Sequence, residues 1–230
     1  MTQGVFITGT DTGVGKTRFT IALMQALKKN GLKVSGMKPV ATGAKKVDGT
    51  LINEDANLIQ QNSSDIPPYE LVNPVVFEPP VAPHIAASKA GVTIDIKQIA
   101  ESYKALASQS EFVIVEGVGG WRVPLSDKDT LTSLVQILEI PVILIIGLRL
   151  GCINHALLTA EAIIADDVKL TGWVGNLLEK DYLYKQETIN TLKQRLICPH
   201  IIDLDYSGDF IPDKLIGQRH IKGILKQLNI

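Results

Sequence analysis

Residues 4–17 constrain this chain more than any other stretch. An apolar run, Val5 to Ile7, breaks into Gly9-Thr10-Asp11-Thr12-Gly13-Val14-Gly15-Lys16-Thr17 and then into a helical pattern. A strand that turns through glycines straight into a helix aims several backbone N–H groups and a helix N-terminus at one point, which is a seat for an anion. Glycines let the backbone wrap that anion with no Cβ in the way. The Lys-Thr pair sharpens the reading, since an ammonium can reach β- and γ-phosphate oxygens and a hydroxyl can ligate Mg²⁺. The strict spacing puts a glycine where Thr10 stands, and here Gly9 comes one step early. With a strand before and a helix after, the segment still reads as a triphosphate site. Its expected contacts are Gly13, Val14, Gly15, Lys16, Thr17 and Arg18.

Further along, apolar β-branched runs alternate with helical patterns. Strands are expected near Val5–Thr8, Val34–Lys38, Phe112–Glu116, Val142–Ile146 and Leu170–Asn176, with helices near Lys16–Asn30, Ile94–Ser108, Ile153–Asp166 and Lys185–Leu196. In the first helix Phe19, Ala22, Leu23, Ala26 and Leu27 share one face, and Gly31 ends it. Strands apolar throughout are covered on both faces, which implies a parallel sheet. The fold class is therefore α/β, a three-layer doubly wound sheet of the P-loop NTPase kind, with ligands beyond the carboxyl ends of the strands. The stretch from Pro67 to Pro83 is expected as an irregular connection, and residues 1–230 as a single domain.

Composition removes several classes of function. With 23 basic and 24 acidic residues the net charge is −1, so no overall field draws the chain to nucleic acid or an anionic membrane. Its two cysteines, Cys152 and Cys198, have neither disulfide-framework nor zinc spacing, which suits a reducing cytoplasm. Met1-Thr2-Gln3 leads straight into a strand, so no signal peptide is expected, and Ile140–Gly147 is too short to span a bilayer.

The polar residues at strand ends carry the chemistry. Lys38-Pro39 closes the second strand, and Pro39 stops the ladder there. A lysine at a strand end is commonly just solvated. Beside a polyphosphate, however, a second ammonium can offset charge on a transferring phosphoryl group. Phe112-Val113-Ile114-Val115-Glu116 delivers a carboxylate at the end of an apolar strand and then runs into Gly117-Val118-Gly119-Gly120, the form of a strand that brings an acid to Mg²⁺. Asp55 reads equally as a helix N-terminal acid or as a metal ligand. Gly151, Cys152, Ile153 and Asn154 open a helix whose free N–H groups suit a substrate carboxylate. Cys152 and His155 suggest a nucleophile and base but lack a third partner. His84 is ambiguous, and Trp121 is either packing or a wall of the site.

Together these segments resemble the dethiobiotin synthetase family. The resemblance rests on Gly9–Thr17, Lys38-Pro39-Val40-Ala41-Thr42-Gly43, Val115-Glu116-Gly117-Val118-Gly119-Gly120-Trp121 and Leu150-Gly151-Cys152-Ile153-Asn154-His155-Ala156. Shorter matches are Asn62-Ser63-Ser64, Asn73-Pro74, Pro83-His84-Ile85, Pro124-Leu125-Ser126-Asp127 and Gly172-Trp173-Val174. They run in family order from about residue 4 to 177, and the early Gly9 is itself the family's form.

The resemblance implies ATP, Mg²⁺, CO₂ or bicarbonate and 7,8-diaminononanoate, acting in a cytoplasmic homodimer. It implies that an amine is carboxylated to a carbamate, that ATP phosphorylates the carbamate, and that the second amine closes a cyclic urea. By the same resemblance Lys16 holds the phosphates and Lys38 stabilises the carbamate and the phosphoryl group. Thr17, Asp55 and Glu116 surround Mg²⁺, Gly117, Val118 and Gly119 line the nucleotide, and Asn176 with Leu177 meets the base. Thr42 binds the diamine end, and Gly151 to Asn154 of the neighbouring subunit take the distant carboxylate. Three departures stand out: Gly13 where some members have Glu, Thr42 for the commoner Ser, and Asp203-Leu204-Asp205-Tyr206 where a Gly/Pro turn completes the adenine pocket.

Two other functions compete. An amidating NTPase acting on corrinoid acids would usually continue into a glutamine-hydrolysing domain. A chromosome- or septum-positioning ATPase would carry a further lysine where Asp11 stands and often a basic surface helix. The Gly217–Leu228 segment, basic on one side and apolar on the other, reads as packing on the sheet edge.

Overall fold

The computed structural model describes residues 3–206 and 216–228. Strand β1 (Gln3–Gly9) enters the phosphate loop, and α1 (Lys16–Lys29) leaves it. The apolar stripe foreseen on α1 is buried along its length, Phe19, Ala22, Leu23, Ala26 and Leu27 included. The chain then forms β2 (Val34–Met37), β3 (Val40–Ala41), a hairpin of β4 (Lys45–Val47) and β5 (Thr50–Ile52), and α2 (Glu54–Asn62). After α2 come α3 (Tyr69–Val72), β6 (Val75–Val76), α4 (Pro83–Ala90) and α5 (Ile96–Ala107). The second half runs β7 (Phe112–Glu116), α6 (Leu131–Leu138), β8 (Val142–Leu148) and α7 (Cys152–Ala165). It ends with β9 (Leu170–Leu177), α8 (Lys185–Arg195), β10 (His200–Leu204) and α9 (Gln218–Leu228).

Six strands make one sheet in the order β10-β9-β8-β1-β7-β2, every pair parallel. The chain leaves β1 for the far edge at β2, returns to β7 beside β1, and then crosses to β8 and outward. Its direction of travel reverses at β1, so a crevice opens beyond the carboxyl end of that strand. Alternate side chains fill opposite faces. Val5, Ile7 and Ile114 meet the buried residues of α1, α2 and α9, whereas Phe6, Val113 and Val115 meet those of α5 and α6. Leu144, Ile146 and Trp173 close the core beneath α7 and α8. Ile221, Ile224 and Leu228 of α9 are buried in the first of these clusters, so its apolar side packs on the sheet beside β10. The side chain of Arg219, counted among that helix's basic residues, lies outside the described residues.

The stretch from Pro67 to Pro83 is more ordered than its prolines suggest. It holds α3 and β6, β6 pairs with β3, and Pro83 occupies the first turn of α4, where a fixed φ and a missing N–H cost nothing. Elements of four and two residues are too short for periodicity to reveal.

Glycine is required where α1 and α2 both press on β2. A Cβ on Gly36 would strike Ile59 Cγ2 and come within 2.7 Å of Met24 Cε. Gly36→Ala should therefore lower stability by about 1–3 kcal/mol through overpacking. Urea denaturation followed by far-UV circular dichroism checks this; an unchanged midpoint would mean that the two helices are free to move apart.

Candidate active site

Strand register assembles the site. Met37 pairs with Val115, and Ile7 pairs with Glu116, so Lys38 and Glu116 emerge side by side at the carboxyl edge, Glu116 on the strand next to β1 and Lys38 at the end of the one beyond it. Lys38 Nζ donates to Glu116 Oε1 at 2.6 Å and to the Gly117 carbonyl at 3.1 Å, and it reaches Asp55 Oδ2 at 3.4 Å. Thr17 Oγ1 donates to the same Glu116 oxygen at 2.8 Å. Asp55 is in the first turn of α2, whose start is fixed by Asn53: the Asn53 side chain accepts from Ala56 N. In the loop itself Gly15 has φ 96°, and a Cβ there would collide with the Asn176 side chain.

These charges are far from water. Glu116 has no exposed surface, and Lys38 retains 4 %. An unpaired carboxylate so placed would cost several kcal/mol, and Lys38 offsets that cost. Burial alone pushes the Lys38 ammonium down, but Glu116 and Asp55 outweigh it and hold its pKa above the ordinary lysine value. Lys16 differs. Burial first, and then the charge on Lys38, push its pKa down to about 8, with Glu116, Asp55 and Asp11 compensating only in part. Lys16 Nζ donates to the carbonyls of Gly119 at 2.6 Å and Asp11 at 2.9 Å, bridging the two loops that flank the anion seat.

A cavity of about 720 Å³ opens over this cluster. Gly13, Gly15, Lys16 and Thr17 line its floor, Lys38, Asp55 and Glu116 one side, and Thr42, Val118 and Gly119 the rim. Sequence reasoning missed the apolar wall of Pro80, Val81, Ala82 and Pro83, together with Asn53 and Val123. The Asn53-Glu54-Asp55 capping pattern was the signal available for Asn53; the wall, four consecutive residues, gave none, because nothing local shows that this turn before α4 folds over the phosphate loop.

The remaining expected residues lie outside the cavity lining. Val14 is buried, and its carbonyl accepts from Asn176 Nδ2 at 2.9 Å. Asn176 Oδ1 accepts from Arg18 at 2.8 Å, and burial pushes the Arg18 guanidinium below its usual value. The Asn176 carboxamide therefore already links the phosphate loop to α1. Leu177 ends β9 beside it; of the stretch that departs from the family's adenine pocket, Asp203 and Leu204 end β10 and Asp205 pairs with Lys185 at 2.8 Å. Gly117 uses its carbonyl for Lys38 and its N–H for Ile7. Gly151, Ile153 and Asn154 form the start of α7, where Gly151 and Asn154 are exposed and Leu150 is 94 % exposed. Cys152 is buried in the core while His155 is exposed, so the two form no catalytic pair. Trp121 packs away from the cavity and donates to Asp166 Oδ2 at 2.7 Å. His84 lines a separate groove under α4, its Nδ1 buried without a hydrogen-bond partner.

The oxygens at the centre fit Mg²⁺. Glu116 Oε2 is buried and has no hydrogen-bond partner, next to the Thr17 hydroxyl and across Lys38 from Asp55. Among the described residues no cluster of three or more His, Cys, Asp or Glu side chains forms. Two carboxylates and a hydroxyl suit an ion that keeps several waters and binds mainly to phosphates. No described helix is long and apolar enough to cross a membrane.

Comparison with known proteins gives consistent results. The family described as an AAA domain matches residues 3–209. An ATP-dependent dethiobiotin synthetase of Nitrosospira multiformis is 45 % identical over 209 residues, covering 90 % of this chain and 89 % of its own. That of Cellvibrio japonicus is 46 % identical over 197 residues, covering 86 % of each chain. Among solved structures, the MinD cell division protein of Aquifex aeolicus superposes with a TM-score of 0.56 at 16 % identity, covering 99 % of this chain and 95 % of that one. At that identity the likeness concerns the fold alone.

Lys16 gives the site a pH signature. Its folded pKa of about 8 lies below the ordinary 10.5, so between those values the unfolded chain holds a proton that the folded chain has released. Stability from this group therefore rises with pH across that window. A bound polyphosphate restores the ammonium. Nucleotide binding should thus take up almost no proton at about pH 7 and close to one at about pH 9. Calorimetry in buffers of different ionisation enthalpy measures this; uptake independent of pH would contradict the shift.

Proposed function

The chain belongs to the ATP-dependent dethiobiotin synthetase family, and from that membership we propose how its pocket closes a cyclic urea. The enzyme is a ligase of biotin synthesis that joins 7,8-diaminononanoate and CO₂ at the expense of ATP, giving dethiobiotin, ADP and phosphate. The observation that carries the site assignment is the buried Lys38 ammonium held between Glu116 and Asp55 at the mouth of the phosphate loop.

One amine of the substrate takes up CO₂, drawn from bicarbonate, as a carbamate. A carbamate oxygen attacks the γ-phosphorus, the bond to the β-phosphate oxygen breaks, and ADP leaves. The second amine then attacks the carbonyl carbon of the mixed anhydride, expels phosphate and closes the five-membered ring. No protein nucleophile is needed, only positioning and charge.

Lys16 holds the β- and γ-phosphate oxygens, with N–H groups of the Gly13–Arg18 segment cradling the rest. Lys38 lies where it can offset charge on both the carbamate and the transferring phosphoryl group. Its raised pKa keeps it cationic through the working pH range. Thr17, Asp55 and Glu116 would hold Mg²⁺, which when bound supplies further positive charge at the phosphates. Gly117, Val118 and Gly119 border the nucleotide, Asn176 and Leu177 lie toward the base, and Thr42 meets the diamine. The wall of Pro80 to Pro83 suits the aliphatic chain, and its apolar surface keeps water from the anhydride.

The carboxylate at the far end of the substrate needs another partner. At the α7 start Gly151 and Asn154 are exposed, and the Cys152 N–H already donates to the Arg149 carbonyl at 3.1 Å. That leaves the other N–H groups of the first turn for the carboxylate, flanked by Leu150 and by Leu158, which is 57 % exposed. These features support a homodimer in which each subunit lends this helix start to its neighbour's site. The whole chain works as one domain in the cytoplasm, without nucleic acid or membrane. Asp11 is tied to Arg149 at 2.8 Å, so no extra lysine stands in the loop to serve a switch ATPase.

Two outcomes follow. Lys38→Ala should lower turnover by about 10²–10³-fold while ATP still binds, and wild-type enzyme should release ADP only when diamine and bicarbonate are both present. Coupled ADP release and equilibrium dialysis read the two; unchanged turnover removes Lys38 from the mechanism. In addition, subunits carrying Lys16→Ala mixed with subunits carrying Asn154→Ala should recover part of the lost activity. No recovery on mixing contradicts the shared site.

A further inference from the structure

The side chains that touch the cavity do not fix themselves. Lys38 and Thr42 flank the short strand β3, Asp55 opens α2, and a chain of hydrogen bonds behind the cavity joins all three places. Asn73 Nδ2 donates to the Lys38 carbonyl at 2.7 Å. The Asn73 Oδ1 oxygen accepts from the Tyr69 hydroxyl at 3.0 Å, and that hydroxyl accepts the Asn53 backbone N–H at 2.8 Å. Asn53 then divides: Nδ2 donates to the Thr42 carbonyl at 3.2 Å, and Oδ1 caps the first turn of α2, which carries Asp55.

Each link has the polarity it needs. The phenol donates one way and accepts the other, and the two carboxamides donate with nitrogen and accept with oxygen. Asn73 is 2 % exposed and Asn53 8 %, so water cannot readily replace either partner. The Lys38 backbone is held from both sides, since its N–H also donates to the Val72 carbonyl at 2.7 Å. The phosphate loop makes no contact with this chain. Its side chains and carbonyls are instead held by Glu116, Gly119, Asn176 and Arg149.

We infer that Tyr69, Asn73 and Asn53 are positioning residues that hold the backbone of the acceptor side of the reaction, at Lys38, Thr42 and the start of α2 with Asp55, in register as one unit, the two sides meeting at Glu116. α3 is thus a brace for phosphoryl transfer, and Tyr69 is its hinge point, the link whose loss breaks the backbone-side path between Lys38 and the start of α2 and leaves only the 3.4 Å ion pair to join Lys38 to Asp55. The inference rests on the roles proposed for Lys38 and Asp55.

Tyr69→Phe removes one oxygen and leaves the ring in place. Its kcat should fall about 10–100-fold, the range for partners that orient a metal ligand, and its Mg²⁺ requirement and diamine KM should rise. ATP affinity should stay within about twofold, because the loop is braced elsewhere. Asn73→Ala cuts the same chain, so the double variant should be no slower than the worse single variant. Wild-type kcat in folded Tyr69→Phe overturns the inference, whatever its melting temperature. So does a loss shared equally by kcat and ATP affinity, or additive losses in the double variant. If Tyr69→Phe does not fold, Asn73→Ala carries the kinetic test; if neither folds, the chain is a folding element and the positioning role fails. Lys38→Ala assayed in parallel separates the two levels: if it retains turnover the site assignment itself is wrong, whereas if it is inactive beside a normal Tyr69→Phe only the brace is.

Discussion

The parallel pairing of β2 with β7 decides where the charges meet. With Met37 opposite Val115, the next residues on the two strands are Lys38 and Glu116, and the sheet delivers them to one point with no room for either to reach bulk water. Moving either strand by one residue would turn its charged side chain toward the opposite face of the sheet. The ion pair therefore depends on register, and register depends on the apolar faces packed under α1 and α5. The core and the site share one geometric constraint.

Burying this pair does more than satisfy two charges. Glu116 spends one oxygen on Lys38 and Thr17 and keeps the other without a partner, an arrangement that folding alone would not favour. A bound divalent cation would meet that demand. Lys38, pressed between two carboxylates, stays charged, whereas burial and the neighbouring Lys38 ammonium lower the pKa of Lys16 to about 8. The two lysines thus differ before substrate arrives: one is held firmly cationic, the other releases its proton more readily as pH rises above about 8.

Much of this was legible in the residues. The Gly9–Thr17 turn, the acid ending Phe112–Glu116 and the lysine before Pro39 each carry a local chemical signature, and strand alternation placed them on one sheet edge. The apolar wall and the hydrogen-bond brace were not: the wall is a four-residue run whose place over the cavity is set by tertiary packing, and the brace joins residues from separate short elements. Asn73 and Tyr69 have no signature of their own; their meaning comes from the Lys38 and Asn53 backbone atoms across from them. Asn176 shows the converse. Its position at the end of β9 was foreseen, but its carboxamide is already engaged by Val14 and Arg18, a contact that depends on how α1 lies against the sheet.

A crystal structure of the enzyme with a non-hydrolysable ATP analogue, Mg²⁺ and diaminononanoate bears most directly on the central claim. The γ-phosphate should lie within hydrogen-bond reach of both Lys16 and Lys38, with the ion on Glu116 and an amine of the substrate between Thr42 and the phosphate. A γ-phosphate out of reach of Lys38, with the Lys38–Glu116 pair sealed away from the ligands, would contradict it.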